Sequence, residues 1–245
     1  NDMRYLNAAK NCISFIEKNL FVDDNLLRTY KNGNAKINGY LEDYSYFINA
    51  LLDVFEIEPN QKYLKLALKL GTHLIDHFWD SENNSFFMTS DNHEKLIIRP
   101  KSNYDLSLPS GNSVSSFVML RLYHLSQEQS FLDISIKIME SQAQMAAENP
   151  FGFGYLLNTL SVYLEKPIEI TIINSENSEI CNSLFATYLP SSFMVTIENS
   201  EQLNALTDYP FFSGKSFEDQ TSVFICKNFS CSLPLHTLDE VNSEL

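Results

Sequence analysis

Arg99-Pro-Lys-Ser-Asn-Tyr-Asp-Leu-Ser-Leu-Pro-Ser-Gly-Asn-Ser-Val-Ser-Ser-Phe-Val-Met-Leu-Arg-Leu122 is the stretch whose reading decides the fold. Its first half is a polar loop holding two cations (Arg99 and Lys101), Tyr104 and the carboxylate of Asp105. Its second half, beyond Pro109-Ser110-Gly111, is a helix in which Arg121 is the single charge. Ser110 or Asn112 can accept hydrogen bonds from the free amides of the first turn, so the helix start is specified locally. A helix apolar on most faces must be covered on most faces. This one therefore belongs inside the molecule, with a polar cluster at its mouth where a small-molecule site can be built.

Working outward, six helical segments precede Pro167. The second, about Tyr40 to Phe55, sets Leu41, Tyr44, Ile48, Leu51, Leu52 and Phe55 at helical spacing. The third, about Tyr63 to Trp79, does the same with Tyr63, Leu66, Ala67, Leu70, Leu74 and Phe78. The first, third and fifth carry solvent-facing charges. The second, fourth and sixth are nearly bare, with Asp53 alone in the body of one and Arg121 in another. Alternating one-sided and wrapped helices imply two layers, odd helices outside and even helices inside. A weak repeat supports hairpins: Tyr5-Leu-Asn-Ala-Ala-Lys through Phe21-Val-Asp-Asp-Asn resembles Tyr63-Leu-Lys-Leu-Ala-Leu through Trp79-Asp-Ser-Glu-Asn, and Phe131-Leu-Asp-Ile begins a third copy. Three hairpins make an arc, so its ring is expected to be completed by further chain or by a partner.

After Pro167 the period changes. Ile168–Ile173, Phe193–Ile197 and Thr221–Cys226 read as strands, Glu176–Tyr188 as a helix between the first two, and a short acidic helix starts near Thr237. Strand–helix–strand at this length predicts a parallel pair with a right-handed crossover. The chain is thus expected to be mainly α, with an α-hairpin part over 1–166 and a small α/β unit over 167–245.

The 245 residues suffice for a large core, and only 7 Gly and 8 Pro interrupt them. A formal charge of -14 argues against nucleic acid, whose phosphates need a basic surface. No apolar run reaches the roughly 20 residues of a membrane helix, and no secretory signal is visible. Four scattered cysteines do not make a disulfide scaffold, and a cytoplasmic location is the expectation. The opening Asn-Asp-Met-Arg suggests a fragment.

Each polar group has a structural and a chemical reading. Glu42 and Asp43 at the start of the second helix complement its dipole, or face a cavity as an acid–base pair or as partners of sugar hydroxyls. Arg99, Lys101, Tyr104 and Asp105 form loop salt bridges, or hold a polyhydroxylated or anionic ligand with Asp105 as acid or base. Ser110 and Asn112 cap the fourth helix. No Gly-x-Ser-x-Gly elbow surrounds Ser110. His73 and His77, four apart, lack the glutamate of a metalloprotease motif and read as structural, so no metal site is expected. Cys226 and Cys231 are expected as two buried, unlinked thiols, with a disulfide or metal use as the alternatives. Gly152-Phe-Gly154 is too short to cradle phosphate.

Several motifs together resemble a known family: Gly39-Tyr-Leu-Glu-Asp-Tyr-Ser-Tyr-Phe-Ile, His77-Phe-Trp-Asp with Phe86-Phe-Met-Thr, Arg99-Pro-Lys through Tyr104-Asp105 to Pro109-Ser-Gly-Asn-Ser-Val, and Val223-Phe-Ile-Cys-Lys-Asn-Phe-Ser-Cys-Ser-Leu-Pro234. In this order they resemble the C-terminal part of the thioredoxin-domain-containing proteins related to spermatogenesis-associated protein 20. The resemblance implies half of an (α/α)6 toroid, similar to N-acylglucosamine 2-epimerases and six-hairpin glycosidases. It also implies that a thioredoxin-like domain and the first toroid half lie outside this sequence. Ser102-Asn103 and Leu106-Ser107 depart from the family's usual pattern. The resulting expectation is a toroid binding a sugar-like molecule, with epimerase- or isomerase-type chemistry by Glu42, Asp43 and Asp105. Tyr44, Arg99, Lys101, Tyr104, Ser110 and Asn112 would position the ligand, and no cofactor is implied. The alternative is a non-catalytic platform for the absent thioredoxin-like domain or a client protein.

Overall fold

A computed structural model describes residues 2–95, 97–174, 178–217 and 219–245, the last helix of the α/β part included. In chain order the elements are α1 (Met3–Asn19), β1 (Phe21–Val22), β2 (Asn25–Lys31), β3 (Asn34–Asn38), α2 (Leu41–Ile57), α3 (Gln61–Phe78), β4 (Trp79–Asp80), β5 (Ser85–Phe86), α4 (Gly111–Ser126), α5 (Gln129–Glu148) and α6 (Gly154–Glu165). There follow β6 (Ile168–Ile173), α7 (Ser178–Ala186), β7 (Ser192–Ile197), α8 (Ser200–Asn204), β8 (Ser222–Lys227), β9 (Ser230–Cys231) and α9 (Leu238–Glu244). The chain is mainly helical. The expected helix start at Glu176 lies outside the described residues.

The apolar periodicity of α2 becomes its packing face: Leu41, Tyr44, Ile48, Leu51, Leu52 and Phe55 are all buried. Helices α2 and α3 pack as one hairpin and α4 and α5 as another, while α2, α4 and α6 form a row of direct neighbours. Helix α4 sits in the middle of that row, and almost all of it is buried. Close approach there depends on Gly71 of α3, where an added Cβ would stand 2.6 Å from Leu122 and 3.0 Å from Phe131. Helix α6 departs from the expected pattern. It carries no charge before Glu165, yet it buries only Leu156, Thr159 and Val162, because it ends the row and has a packing neighbour on one side.

The two long links carry short strands. In the first, β1, β2 and β3 form an antiparallel sheet; in the second, β4 pairs with β5. The α/β part is a four-stranded sheet in the order β7-β6-β8-β9, with β6 and β7 parallel and β8 antiparallel to β6. Its two faces pack differently, as the alternation of a strand requires. Ile170 and Ile172 of β6, with Val223 and Ile225 of β8, pack against Ile180 and Leu184 of α7 and Val241 of α9. Phe193, Val195 and Ile197 of β7, with Phe224, join the same core as α2 and α4, together with Phe211 and Phe212 of the preceding loop.

One expectation is overturned here. Cys226 and Cys231 are joined as a disulfide. The turn between β8 and β9 is a two-residue hairpin whose Asn228 and Phe229 both have positive φ (52° and 60°), and it folds the strand back so that the two cysteines become directly opposed register partners.

Candidate functional site

The mouth of α4 is assembled from the residues that the sequence singles out, and each has a partner within the chain. Ser110 caps α4, its Oγ accepting from the Ser113 amide at 3.0 Å. Asn112, in the first turn, is fully buried; its Oδ1 accepts from the Phe86 amide at 2.7 Å, and its Nδ2 donates to the carbonyls of Phe86 (3.0 Å) and Ser102 (3.1 Å). It therefore ties β5 and the polar loop to the helix. Asp105 bolts that loop to two helix starts: Oδ1 accepts from the Ser110 amide and Oδ2 from the Tyr155 amide, both at 2.8 Å. A carboxylate at two helix N-termini also meets the positive ends of two helix dipoles.

The cations are engaged as well. Arg99 donates to the carbonyls of His77 and Thr89, and its guanidinium lies 4.1 Å above the Phe87 ring. Lys101 donates to Asp80 at 2.5 Å, and this contact, helped by Asn83, holds the Asp80 carboxyl well below the usual carboxylate range. Tyr104 is half open to solvent and packs its ring on Phe153. Tyr44 is buried; its hydroxyl accepts from the Leu26 amide at 2.9 Å, and its ring stacks on His73. Asp43 accepts from the Tyr40 amide at the start of α2 and from Arg28, both at 2.8 Å. Glu42 meets the other end of Arg28, also at 2.8 Å, and leaves 42% of its side chain exposed. Glu42 and Asp105 approach the same group, Tyr46, whose hydroxyl donates to the Pro109 carbonyl at 2.8 Å. Burial first, then the charges of Glu42 and Asp105, hold that phenol above its ordinary pKa, so it stays a neutral donor.

Tyr46 belongs to a polar row that the sequence reading did not assemble. Glu42, Tyr46, Asn49 and Asp53 recur along one face of α2, partly or fully open to solvent on a helix otherwise packed on most sides. Across from this face, Arg121 of α4 is buried, with Nη1 donating to Asn49 Oδ1 (2.8 Å) and Asp53 Oδ1 (2.7 Å) and Nη2 to Glu56 Oε1 (2.7 Å). Burial raises the Glu56 carboxyl, and the guanidinium pulls it back. Tyr155 of α6 completes the row, edge-on to Phe117 and within reach of the charges of Arg121, Asp53 and Asp105. The signal in the sequence was Arg121, the single charge on an otherwise enclosed helix, which has little reason to be there except to meet acidic partners from a neighbouring one.

A second polar feature lies at the other end of α4. His124 Nδ1 and Glu169 Oε1 of β6 are 2.7 Å apart, both side chains buried, beside a cavity of about 130 Å³ that Phe229 and Asn228 of the β8–β9 turn help to line. Among the described residues no cluster of three or more His, Cys, Asp or Glu is arranged to hold a metal, and no helix is long and apolar enough to cross a membrane.

No family model matches the chain. It is 25% identical over 248 residues to human spermatogenesis-associated protein 20, covering 95% of this chain and 32% of that protein. It is likewise 25% identical over 213 residues to the rat protein of that name, covering 84% of this chain and 27% of that one. An uncharacterized protein of Caenorhabditis elegans is 24% identical over 254 residues, 98% of this chain and 34% of its own length. The chain is thus related nearly end to end to spermatogenesis-associated protein 20, and it spans about a third of the length of the curated relatives it matches.

Proposed function

We propose that this chain supplies one wall of a ring of helical hairpins that binds a polyhydroxylated, sugar-like small molecule. The wall is the Glu42–Tyr46–Asn49–Asp53 row of α2, backed by Arg121 and Tyr155. The row itself carries the reading: carboxylates, an amide and phenols, with Asn49 and Asp53 held by a buried guanidinium, offer acceptors and donors at the spacing of successive helical turns. Sites of this kind combine fixed polar groups with aromatic surface, and the half-buried Tyr155, edge-on to Phe117, supplies it here. Asp105 is a positioning residue in this reading, because both of its oxygens are taken by backbone amides at helix starts, whereas Asp53, though bonded to Arg121 and Asn49, leaves 59% of its side chain open to solvent. Asp43, Ser110 and Asn112 hold the helix starts, and Arg99 and Lys101 hold the loop. An epimerase- or isomerase-type reaction would use Glu42, the expected catalytic carboxylate with the most open edge, and a second group from chain that completes the ring.

A thermal-shift screen of the protein at its full natural length, with monosaccharides and their phosphates, tests this. At least one sugar raises the melting temperature of the wild type, and the shift is lost in Asp53→Asn. A panel without any shift removes the proposal.

The alternative reading, a platform for other parts of the longer protein, has its own observation. An apolar groove of about 480 Å³ runs between α5 and α6, lined by Met139, Ala143, Ala146, Leu156 and Leu160. Leu106, Leu108 and Phe151 stand exposed on the loops near the mouth of α4. A thioredoxin-like domain or the first toroid half would be the occupant. Co-expression with those segments should then give a complex that Leu160→Asp disrupts; a complex unaffected by that change rules the groove out.

A further inference from the structure

The β8–β9 hairpin brings a disulfide, a buried amine and a solvent edge to one place. Cys226 is 1% exposed, whereas Cys231 lies at the surface. Lys215, itself buried, sets its Nζ 3.8 Å from Cys231 Sγ and donates to the Phe211 carbonyl at 2.5 Å. The rings of Phe211 and Phe224 lie on either side, 5.7 and 5.8 Å from the amine. An ammonium among aromatic rings beside a sulfur is an unusual placement, since burying a charge is costly unless an opposite charge or a good acceptor meets it.

The hairpin does not depend on its sulfurs for register. Ser232 donates its amide to the Ile225 carbonyl at 2.9 Å and accepts from the Ile225 amide through Oγ at 3.2 Å, and Val223 and Leu235 exchange two backbone bonds of 2.9 Å. Once reduced, the two thiols would stay opposite each other.

We propose that Cys226–Cys231 is an exchange-active disulfide whose substrate is a dithiol. A thiolate of the dithiol attacks the exposed Cys231 Sγ; the Cys226–Cys231 bond breaks, and Cys226 leaves with the electron pair and takes up a proton. The second thiolate of the substrate then attacks its own sulfur in the mixed disulfide, releasing Cys231 as a thiolate that pairs with the Lys215 ammonium. The protein disulfide gains two electrons, and the dithiol departs as a disulfide. In the reverse direction Cys231 is the nucleophile and Cys226 the resolving sulfur. Thiolate character governs such reactivity, and a neighbouring lysine raises it. Burial lowers the Lys215 ammonium to about 8, with the Glu169 charge on β6 acting the other way, so the amine is still largely cationic at neutral pH. Lys227, on the hairpin itself, is turned to Glu244 of α9.

The test uses the whole 245-residue chain. An immediate acid quench after glutathione is added traps the first mixed disulfide before the freed thiol or a second glutathione resolves it, and peptide mass analysis locates it; it is expected on Cys231, and its appearance on Cys226 overturns the proposal. With the reduced protein, in which Cys231 is the attacking thiolate, Lys215→Met should slow reaction with oxidised glutathione at neutral pH about tenfold, with Lys215→Arg restoring most of the rate; equal rates in all three overturn it. Should Lys215→Met fail to fold, Cys226→Ser serves instead. There, Cys231 should react with iodoacetamide at pH 7 about tenfold faster than the exposed Cys12 of the same molecule. It should also keep reacting at lower pH than Cys12 does. Equal rates and coincident pH profiles reject the proposal.

Discussion

Asp105 shows how one side chain's partners decide between chemistry and architecture. Both oxygens accept backbone amides, one at the start of α4 and one at the start of α6. Asp105→Asn replaces one acceptor with a donor facing an N–H. The expected loss is about 1–3 kcal/mol in urea unfolding, the range for stranding a partly buried hydrogen-bond partner; an unchanged midpoint would mean the bolt carries no load. Asp80 gives a second residue-level expectation. Its folded pKa is depressed by Lys101, so the unfolded chain takes up a proton first as acid is added. The stabilisation is therefore complete above about pH 4, the ordinary aspartate value, and is lost as pH falls toward the folded value. Lys101→Met should flatten that acid limb, and parallel limbs in the two proteins would contradict the ion-pair account. At this scale the sequence singled out side chains that cluster at the mouth of α4 but not their bonds, because a carboxylate beside a helix start looks the same whether it accepts an amide or a substrate proton.

Among the elements, the apolar periods of α2 and α3 and the bare surface of α4 were legible because burial on several faces leaves few places for charge. Helix α6 was not: the absence of charge shows what a helix tolerates, and its neighbours decide what covers it. The pairing of Cys226 with Cys231 was half hidden for a related reason. The turn at Asn228-Phe229 lacks the glycine that normally announces a tight hairpin, so the end of the strand and Asn228 were the local signs of the opposition, and the disulfide stood as an alternative to free thiols. Packing between α3, α4 and α5 gives a quantitative expectation at Gly71. Helix propensity alone favours Gly71→Ala by up to about 1 kcal/mol. The new Cβ would, however, meet Leu122 at 2.6 Å, and overpacking of this kind typically costs about 1–3 kcal/mol. Net destabilisation is expected in thermal or chemical unfolding. A stabilised variant would show that the three helices are less tightly seated than described.

At the scale of the molecule, one face of the sheet shares a hydrophobic core with the helices of the first part, while the other face packs on α7 and α9. Phe193 of β7 lies 4.9 Å from the His124 ring and 6.5 Å from Phe117, and Phe212 lies edge-on to Phe55 of α2. The period change at Pro167 was visible in the sequence, but the packing of one sheet face onto α2 and α4 was not, since long-range contacts leave no local pattern. Phe212→Ala should cost about 3–5 kcal/mol, as removal of a fully buried phenylalanine does. Far-UV ellipticity of the helices and hydrogen-exchange protection of the β6 and β8 amides should be lost together in that variant; two separate transitions would mean that the two parts stand alone.

The polar row of α2 and the bolt at Asp105 assign opposite roles to two carboxylates, and a calorimetric titration separates them. A monosaccharide that stabilises the full-length wild type is titrated into Asp53→Asn and Asp105→Asn at a temperature where both are folded. Binding weakened at least tenfold by Asp53→Asn, with affinity kept in a less stable Asp105→Asn, is the predicted result. Affinity lost through Asp105 and untouched through Asp53 would contradict it.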